Sequence, residues 1–356
     1  MFSTNHHNTS VIFRADGKKS IGYGHLRRVS IISQYLKVSK GLNSLLISIK
    51  DDQENFFLDD NIRSVYLDEN IDFLDEVEFI GSYLENTSAE YIILDVLDAD
   101  INNEYMRRLN LLGLPIIVIT DDTYKRLINA DLIINGNPNQ LEIDYGDHHY
   151  KYLLGPKYFI MPEIYGETLT KPPTRKKKKD ILLTLGGSDH NNLIFKVLIA
   201  LRKLNNIGKI TLISSKATGY LGKLINFIKT STLNIELLID VPNLAPFFNK
   251  VDLAITAGGN TLFERIAIGL PGLTICQLTR QDEIANMFQK LNVNFNIGYG
   301  PDLNINDIYN NVNYFLNDDA RHIVQHHESQ KIVDGKGLKR FCNKLEQLKK
   351  VNNGLW

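Results

Sequence analysis

Short apolar runs alternate along the chain with stretches in which apolar residues recur every three or four positions. Val11–Ala15, Leu45–Ile49, Ser64–Leu67, Tyr91–Asp95, Pro115–Thr120 and Asp131–Asn135 read as strands. Between them, Leu26–Leu36 places Val29, Ile32 and Leu36 on one helical face, and Ile71–Leu84 and Asn103–Leu112 are also helical. The rhythm lapses from Leu153 to Pro172 and restarts after the basic run Lys176–Lys179. Ile181–Leu185, Ile210–Ser214, Ile235–Ile239, Asp252–Thr256 and Gly272–Gln277 are the strands of this second series. Asn192–Leu204, Tyr220–Lys229, Leu244–Asn249, Thr261–Ile268, Gln281–Leu291 and Ile305–Leu316 are its helices, and one long polar helix continues toward the C-terminus.

Strands that alternate with helices imply parallel βαβ units, so the expected fold is α/β with two doubly wound, Rossmann-like domains. The expected division is residues 1–170, a basic linker at 171–180, and residues 181–356, with the last helix able to cross back to the first domain. Ligands of such sheets bind beyond the strand carboxyl ends, and two such domains facing a central cleft would place the site there. The lysine run reads as a solvated linker, because one isolated run makes no extended basic face.

The chain has 356 residues, with 40 Lys+Arg against 41 Asp+Glu. This balance argues against a nucleic-acid or anionic-membrane binder. A hydrophobic content of 43% excludes a globally disordered chain. The two cysteines, Cys276 and Cys342, form neither a disulfide framework nor a metal-binding spacing. No apolar run approaches the ~20 residues of a membrane span, and the polar N-terminus shows no signal stretch. A cytoplasmic protein without stable membrane insertion is expected, and its oligomeric state is open.

Three glycine turns at strand ends carry the candidate chemistry. The first strand leads into Gly22-Tyr23-Gly24-His25, where glycines permit close backbone approach and a helix N-terminus offers N–H groups to an anion. His25 stands in that first helical turn, where the helix dipole would depress its pKa and keep it neutral, able to accept a proton. The pattern is neither a Walker A loop nor a strict dinucleotide fingerprint, since Arg27 occupies the third glycine position. Gly258-Gly259-Asn260-Thr261, with Asn260 as N-cap, suits a phosphate, and Glu264 one turn later suits ribose hydroxyls. Gly186-Gly187-Ser188-Asp189 ends the first strand of the second domain; Gly187 and Ser188 would contribute N–H groups. Three such turns describe a sugar-nucleotide site better than a dinucleotide site. Asp95 ends its strand as a second catalytic candidate. Asp121-Asp122 could bind a divalent ion or form a solvated turn, and the pairs His6-His7, His148-His149 and His326-His327 have no evident further ligands.

The blocks FRADGKKSIGYGHLRR, LLGPKYFIMPEI, LLTLGGSDHNNL, DLAITAGGNTLFERIAIGLPGL and VDGKGLKRF, in this order, resemble a family of UDP-sugar hydrolases. These act in pseudaminic acid biosynthesis and include spore-coat polysaccharide relatives. The C-terminal half is also similar to the nucleotide domain of the glycosyltransferase that makes the peptidoglycan lipid precursor. The resemblance implies the GT-B architecture, UDP held by the C-terminal domain, and removal of UDP from a 2,4-diacetamido-2,4,6-trideoxy sugar with no metal or cofactor. It implies His25 as the active-site histidine, Gly258, Gly259, Asn260, Thr261 and Glu264 as the UDP loop, and Gln281 as the amide position after the following strand. Arg14 and Asp16 match the first block. The family's Asp-His-Tyr motif falls on Asp95-Val96-Leu97, so its tyrosine is replaced, with Tyr23 or Asp98 as stand-ins. A glycosyltransferase using the same UDP-sugar donors is the alternative, and a nucleotide-sugar-binding protein without turnover is a third reading.

Overall fold

The computed structural model describes residues 9–18, 23–50, 58, 62–85, 87–96, 102–121, 129–143, 151–187, 189 and 191–352. The chain divides into two compact units. One comprises the residues up to Met161 together with Lys336 onward, and the other is Pro162–Gly335.

The first unit opens with β1 (Val11–Ala15), α1 (Gly24–Lys40), β2 (Ser44–Ile49), β3 (Arg63–Leu67) and α2 (Phe73–Leu84). It continues with β4 (Tyr91–Asp95), α3 (Asn103–Asn110), β5 (Ile116–Ile119), β6 (Leu132–Asn135) and β7 (Tyr152–Leu154). The seven strands form a sheet in the order β3-β2-β1-β4-β5-β6-β7, with every neighbouring pair parallel. Successive side chains of a strand face opposite sides. Val11, Phe13 and Ala15 therefore pack with Leu26, Val29 and Ile32 of α1, while Ile12 packs with Val77 and Ile80 of α2 and with Tyr105 and Leu109 of α3. Burial on both faces explains why these strands read as continuous apolar runs. Asp72 caps α2 by accepting from the N–H groups of Leu74 and Asp75 at 2.8 and 3.0 Å.

The second unit begins with α4 (Ile164–Glu167), β8 (Lys179–Thr184), α5 (Leu193–Leu201), β9 (Ile207–Ser214), α6 (Leu221–Thr230) and β10 (Asn234–Ile239). There follow α7 (Ala245–Phe248), β11 (Leu253–Thr256), α8 (Asn260–Ala267), β12 (Gly272–Cys276), α9 (Thr279–Lys290) and β13 (Phe295–Tyr299), then α10 (Ile305–Leu316) and α11 (Asp319–Ile332). Its sheet order, β10-β9-β8-β11-β12-β13, is again fully parallel. Counted from its own first strand this is 3-2-1-4-5-6, the order of the first sheet without its seventh strand. In both sheets the winding reverses beside the first strand, between β1 and β4 and between β8 and β11. Such a reversal leaves a crevice at the strand carboxyl ends.

Four expectations are corrected. The unit boundary falls at Met161/Pro162, earlier than residue 170. Lys179 is not part of a solvated linker: it opens β8 with 4% exposure, and its ammonium lies 2.5 Å from Asp319. Strands β7 and β13 lay in segments without a clear strand signal, one only three residues long and the other interrupted by Asn296 and Gly298. The long C-terminal helix is two, α11 and α12 (Gly337–Asn352), with a break around Gly335. Gly335 has φ +69, and a Cβ there would stand 2.4 Å from the Gly166 nitrogen, so no other residue fits. Beyond it, Leu338, Phe341 and Leu345 of α12 pack in the α1 layer of the first unit.

Candidate active site

In the first unit, register pairs Ala15 with Asp95 at the carboxyl ends of the two strands beside the reversal. Asp95 is fully buried. His25, in the first turn of α1, places Nδ1 2.6 Å from Asp95 Oδ1. Arg28, one turn further along α1, donates Nε to Asp95 Oδ2 at 2.7 Å and Nη2 to Oδ1 at 2.6 Å. The same guanidinium donates to both oxygens of Asp121, after β5, at 3.0 and 3.2 Å.

Burial raises the cost of the Asp95 charge, but Arg28 and His25 more than offset it and hold its pKa below the ordinary carboxylate value. An ionised Asp95 accepts the Nδ1 proton, which leaves Nε2 of the neutral ring with its lone pair. Burial also disfavours the imidazolium, yet the hydrogen bond and charge of Asp95 outweigh it, so the His25 pKa is raised. This corrects the expectation of a depressed value: the helix dipole acts on the ring, but a carboxylate in contact acts more strongly. The His25 side chain keeps 15% exposure.

The neighbouring residues divide by burial. Tyr23 is half-buried at the N-cap of α1 and Gly24 is exposed. Gly22, Leu97, Asp98, Asp122, His6, His7, His148 and His149 lie outside the described residues. Arg14 and Asp16 face inward, not toward an open site. Arg14 forms a fork with Glu76 at 2.9 and 3.1 Å and reaches Asp16 at 2.7 Å. Tyr105 donates to Glu76 at 2.5 Å, and Asp16 accepts from the Ile49 N–H at 2.8 Å. With 5% and 8% exposure, Arg14 and Asp16 brace the strand ends from within.

In the second unit, Thr184 pairs with Thr256 across the reversal, and each strand runs on into a glycine pair. Gly187 is exposed, and Ser188 lies outside the described residues. Asp189, 1% exposed, accepts from the N–H groups of Leu193 and Ile194 at the start of α5, at 3.0 and 3.1 Å. It also accepts from the Tyr220 hydroxyl and from Gln277 Nε2, the latter at 2.5 Å. A carboxylate of the protein thus already occupies the N-terminus of α5.

The start of α8 holds no such internal acid in its first turn. Gly259, not Asn260, is its N-cap; Asn260 is the first helical residue and is exposed, and Thr261 is half-buried. Gly258 is closely covered: a Cβ there would stand 2.8 Å from Gln281 Cβ and 2.9 Å from the Gln281 carbonyl oxygen. Gln281 accepts from the Gln277 N–H through Oε1 at 2.9 Å, which fixes its side chain beside the glycine pair. Glu264 is 2% exposed.

Arg28, Gln277 and Tyr220 were not anticipated. Arg28 had one local signal, its position three residues after His25 on the same helix face. Among the described residues, no group of three or more His, Cys, Asp or Glu is arranged to hold a metal ion. Asp121 is instead engaged by Arg28. No described helix is long and apolar enough to cross a membrane.

Two doubly wound parallel sheets, each with its winding reversed beside its first strand, define the GT-B class. The chain is similar over 95% of its length to the crystal structure of Acinetobacter baumannii MurG, with TM-score 0.69 and 12% identity, covering 99% of that chain. It is similar over 94% of its length to the spinosyn rhamnosyltransferase SpnG complexed with thymidine diphosphate, with TM-score 0.64 and 13% identity, covering all of that chain. Within this class, the chain is similar in sequence to two named proteins. It is 24% identical to the Bacillus subtilis spore coat polysaccharide biosynthesis protein SpsG, over 94% of this chain and 97% of that one. It is 27% identical to the Campylobacter jejuni UDP-2,4-diacetamido-2,4,6-trideoxy-beta-L-altropyranose hydrolase, over 79% of this chain and 96% of that one. No family model matches the chain.

Proposed function

We propose that the protein is a UDP-sugar hydrolase of surface-polysaccharide or nonulosonic acid biosynthesis, acting on a UDP-diacetamido-trideoxy-hexose or a close analogue. The observation that carries this reading is the His25–Asp95 pair at the reversal of the first sheet, with Nδ1 tied to a buried carboxylate. His25 Nε2 takes a proton from water as the water oxygen bonds to the anomeric carbon. The bond from that carbon to the β-phosphate oxygen breaks, and UDP departs with the electron pair. Asp95 holds the tautomer and stabilises the imidazolium that forms. The N–H groups at the start of α8 receive the diphosphate, where the helix dipole favours negative charge without a metal. The resemblance puts Glu264 in the UDP loop, where its carboxylate suits the ribose hydroxyls, and Gln281 at the family's amide position after the following strand. The name of the Campylobacter jejuni relative supports this substrate class, and that of the Bacillus subtilis relative supports a role in polysaccharide biosynthesis.

A glycosyltransferase is the second reading, favoured by one specific observation. Where the hydrolase motif has histidine and tyrosine, this chain has Val96 and Leu97, neither with a proton to give, and Val96 is packed into the apolar core with 6% exposure. The base would then act on an acceptor hydroxyl in place of water. The test is incubation with a panel of UDP-sugars, following UDP release and the sugar product by NMR. Release in water alone supports the hydrolase, and release only with an added glycan or lipid acceptor supports the transferase. Absence of both turnover and UDP binding would overturn both readings.

A further inference from the structure

His25 shares the oxygen it uses. Asp95 Oδ1 accepts from His25 Nδ1 and from Arg28 Nη2, each at 2.6 Å, so two N–H groups converge on one atom. Arg28 Nη2 and His25 Nδ1 are themselves 3.3 Å apart. With Nδ1 protonated both are donors, so that approach holds no hydrogen bond and sets a cation against the ring. Asp121 faces the same guanidinium from the far side. Among the described residues, the charged groups around His25 are therefore Asp95 from β4, Arg28 from its own helix and Asp121 after β5. With a neutral ring they sum to one net negative charge.

We infer that Arg28 is a positioning residue for the base, holding Asp95 in place by its fork while its charge keeps His25 from being permanently protonated. The inference rests on the reading of His25 as general base. Without Arg28, two carboxylates would face the imidazole with no cation between them, and the ring would take up a proton and hold it. An opposite charge in contact moves a pKa by about 1–3, so losing this like-signed neighbour should raise the His25 midpoint by at least about 1. The direction agrees with the opposing influences on His25, where Asp95 and Asp121 raise the pKa and Arg28 lowers it.

The test uses the full chain without ligand. The His25 ring is titrated by NMR in the wild type, in Arg28→Gln and in Arg28→Lys, and the pH dependence of kcat is measured beside it. Arg28→Gln should raise the midpoint by about 1 or more and move the acid limb of kcat upward by the same amount, so that raising the pH restores part of the activity. Arg28→Lys keeps the charge and loses the fork; its midpoint should stay near the wild-type value while kcat falls at every pH. A His25 midpoint unchanged in Arg28→Gln overturns the inference, because a merely structural role lowers stability without moving that titration. If Arg28→Gln does not fold, Asp121→Asn carries the test. It removes a carboxylate from the set and should lower the midpoint; no movement again overturns the inference. The NMR titration does not depend on the reaction. A shifted midpoint without turnover of any UDP-sugar upholds the role of Arg28 and rejects the proposed function, and turnover with an immobile midpoint does the reverse.

Discussion

At the reversal of the first sheet, β1 and β4 end among His25, Asp95, Arg28 and Asp121, a compact set of charges with Asp95 wholly buried. At the same topological point of the second sheet, β8 and β11 end in glycine pairs and helix N-termini. One of these termini is closed by Asp189, and the other, at α8, has no acid in its first turn. Strand order is shared, so the fold alone does not choose the chemistry. A reversal furnished with paired charges can move a proton, and one furnished with a helix N-terminus whose N-cap, Gly259, has no side chain can receive an anion. The proposed division of labour, base in one unit and nucleotide in the other, follows from this contrast.

The largest expected effect tests the first side of the contrast. His25→Ala should lower kcat by roughly 10²–10⁴-fold, the usual worth of a positioned base, while calorimetry shows UDP affinity unchanged. A folded variant keeping more than about a tenth of the activity would remove His25 from the general-base role.

Asp95→Asn is expected to cost roughly 3 kcal/mol of stability at neutral pH. This is the lower end for a broken buried ion pair, because Arg28 keeps Asp121. The pH dependence has a definite sign. The folded pKa of Asp95 is depressed, so its contribution is complete above the ordinary carboxylate value of about 3.9 and is lost as the pH falls through the folded value. His25, with a raised pKa, contributes fully below its ordinary value of about 6.5 and loses that contribution as the pH rises through the folded value. Urea midpoints of wild type and variant should therefore converge below about pH 4. A constant gap across pH 3–7 would count against a coupled pair.

On the second side, Glu264→Ala should weaken UDP binding by ~1.5–3 kcal/mol, the range for hydrogen bonds to a charged group, and leave kcat at saturating substrate nearly intact. Loss of kcat with unchanged UDP affinity would reverse the assigned roles of the two units. The smallest effect sharpens the glycine loop itself. Gly258→Ala forces a Cβ against Gln281 and should destabilise by ~1–3 kcal/mol. Gly259→Ala meets only Gln281 Nε2 at 3.5 Å, so thermal unfolding should barely move and any loss of UDP affinity would report the ligand's own need for space.

The apolar runs from Val11, Tyr91, Ile181 and Asp252 were legible as strands because burial on both faces of a parallel sheet is written in consecutive residues. The glycine turns and His25 were legible for a similar reason, since a strand, a turn and a helix start are all local. β13 was not, because Asn296 and Gly298 interrupt its apolar pattern and its place is settled by pairing with β12. The C-terminal helix break was equally hidden: a positive φ at Gly335 has meaning only where Gly166 packs against it. The same division holds for the site. The sequence by itself determined which side chains stand at strand ends. Tertiary structure decided that Arg14 turns inward to Glu76, that Asp189 closes α5, and that His25 meets Asp95 from 70 positions away and Arg28 meets Asp121 from 93. Those pairings set charge and burial, and electrostatic energy depends on separation in space and exclusion of water, neither of which is a local property of the chain.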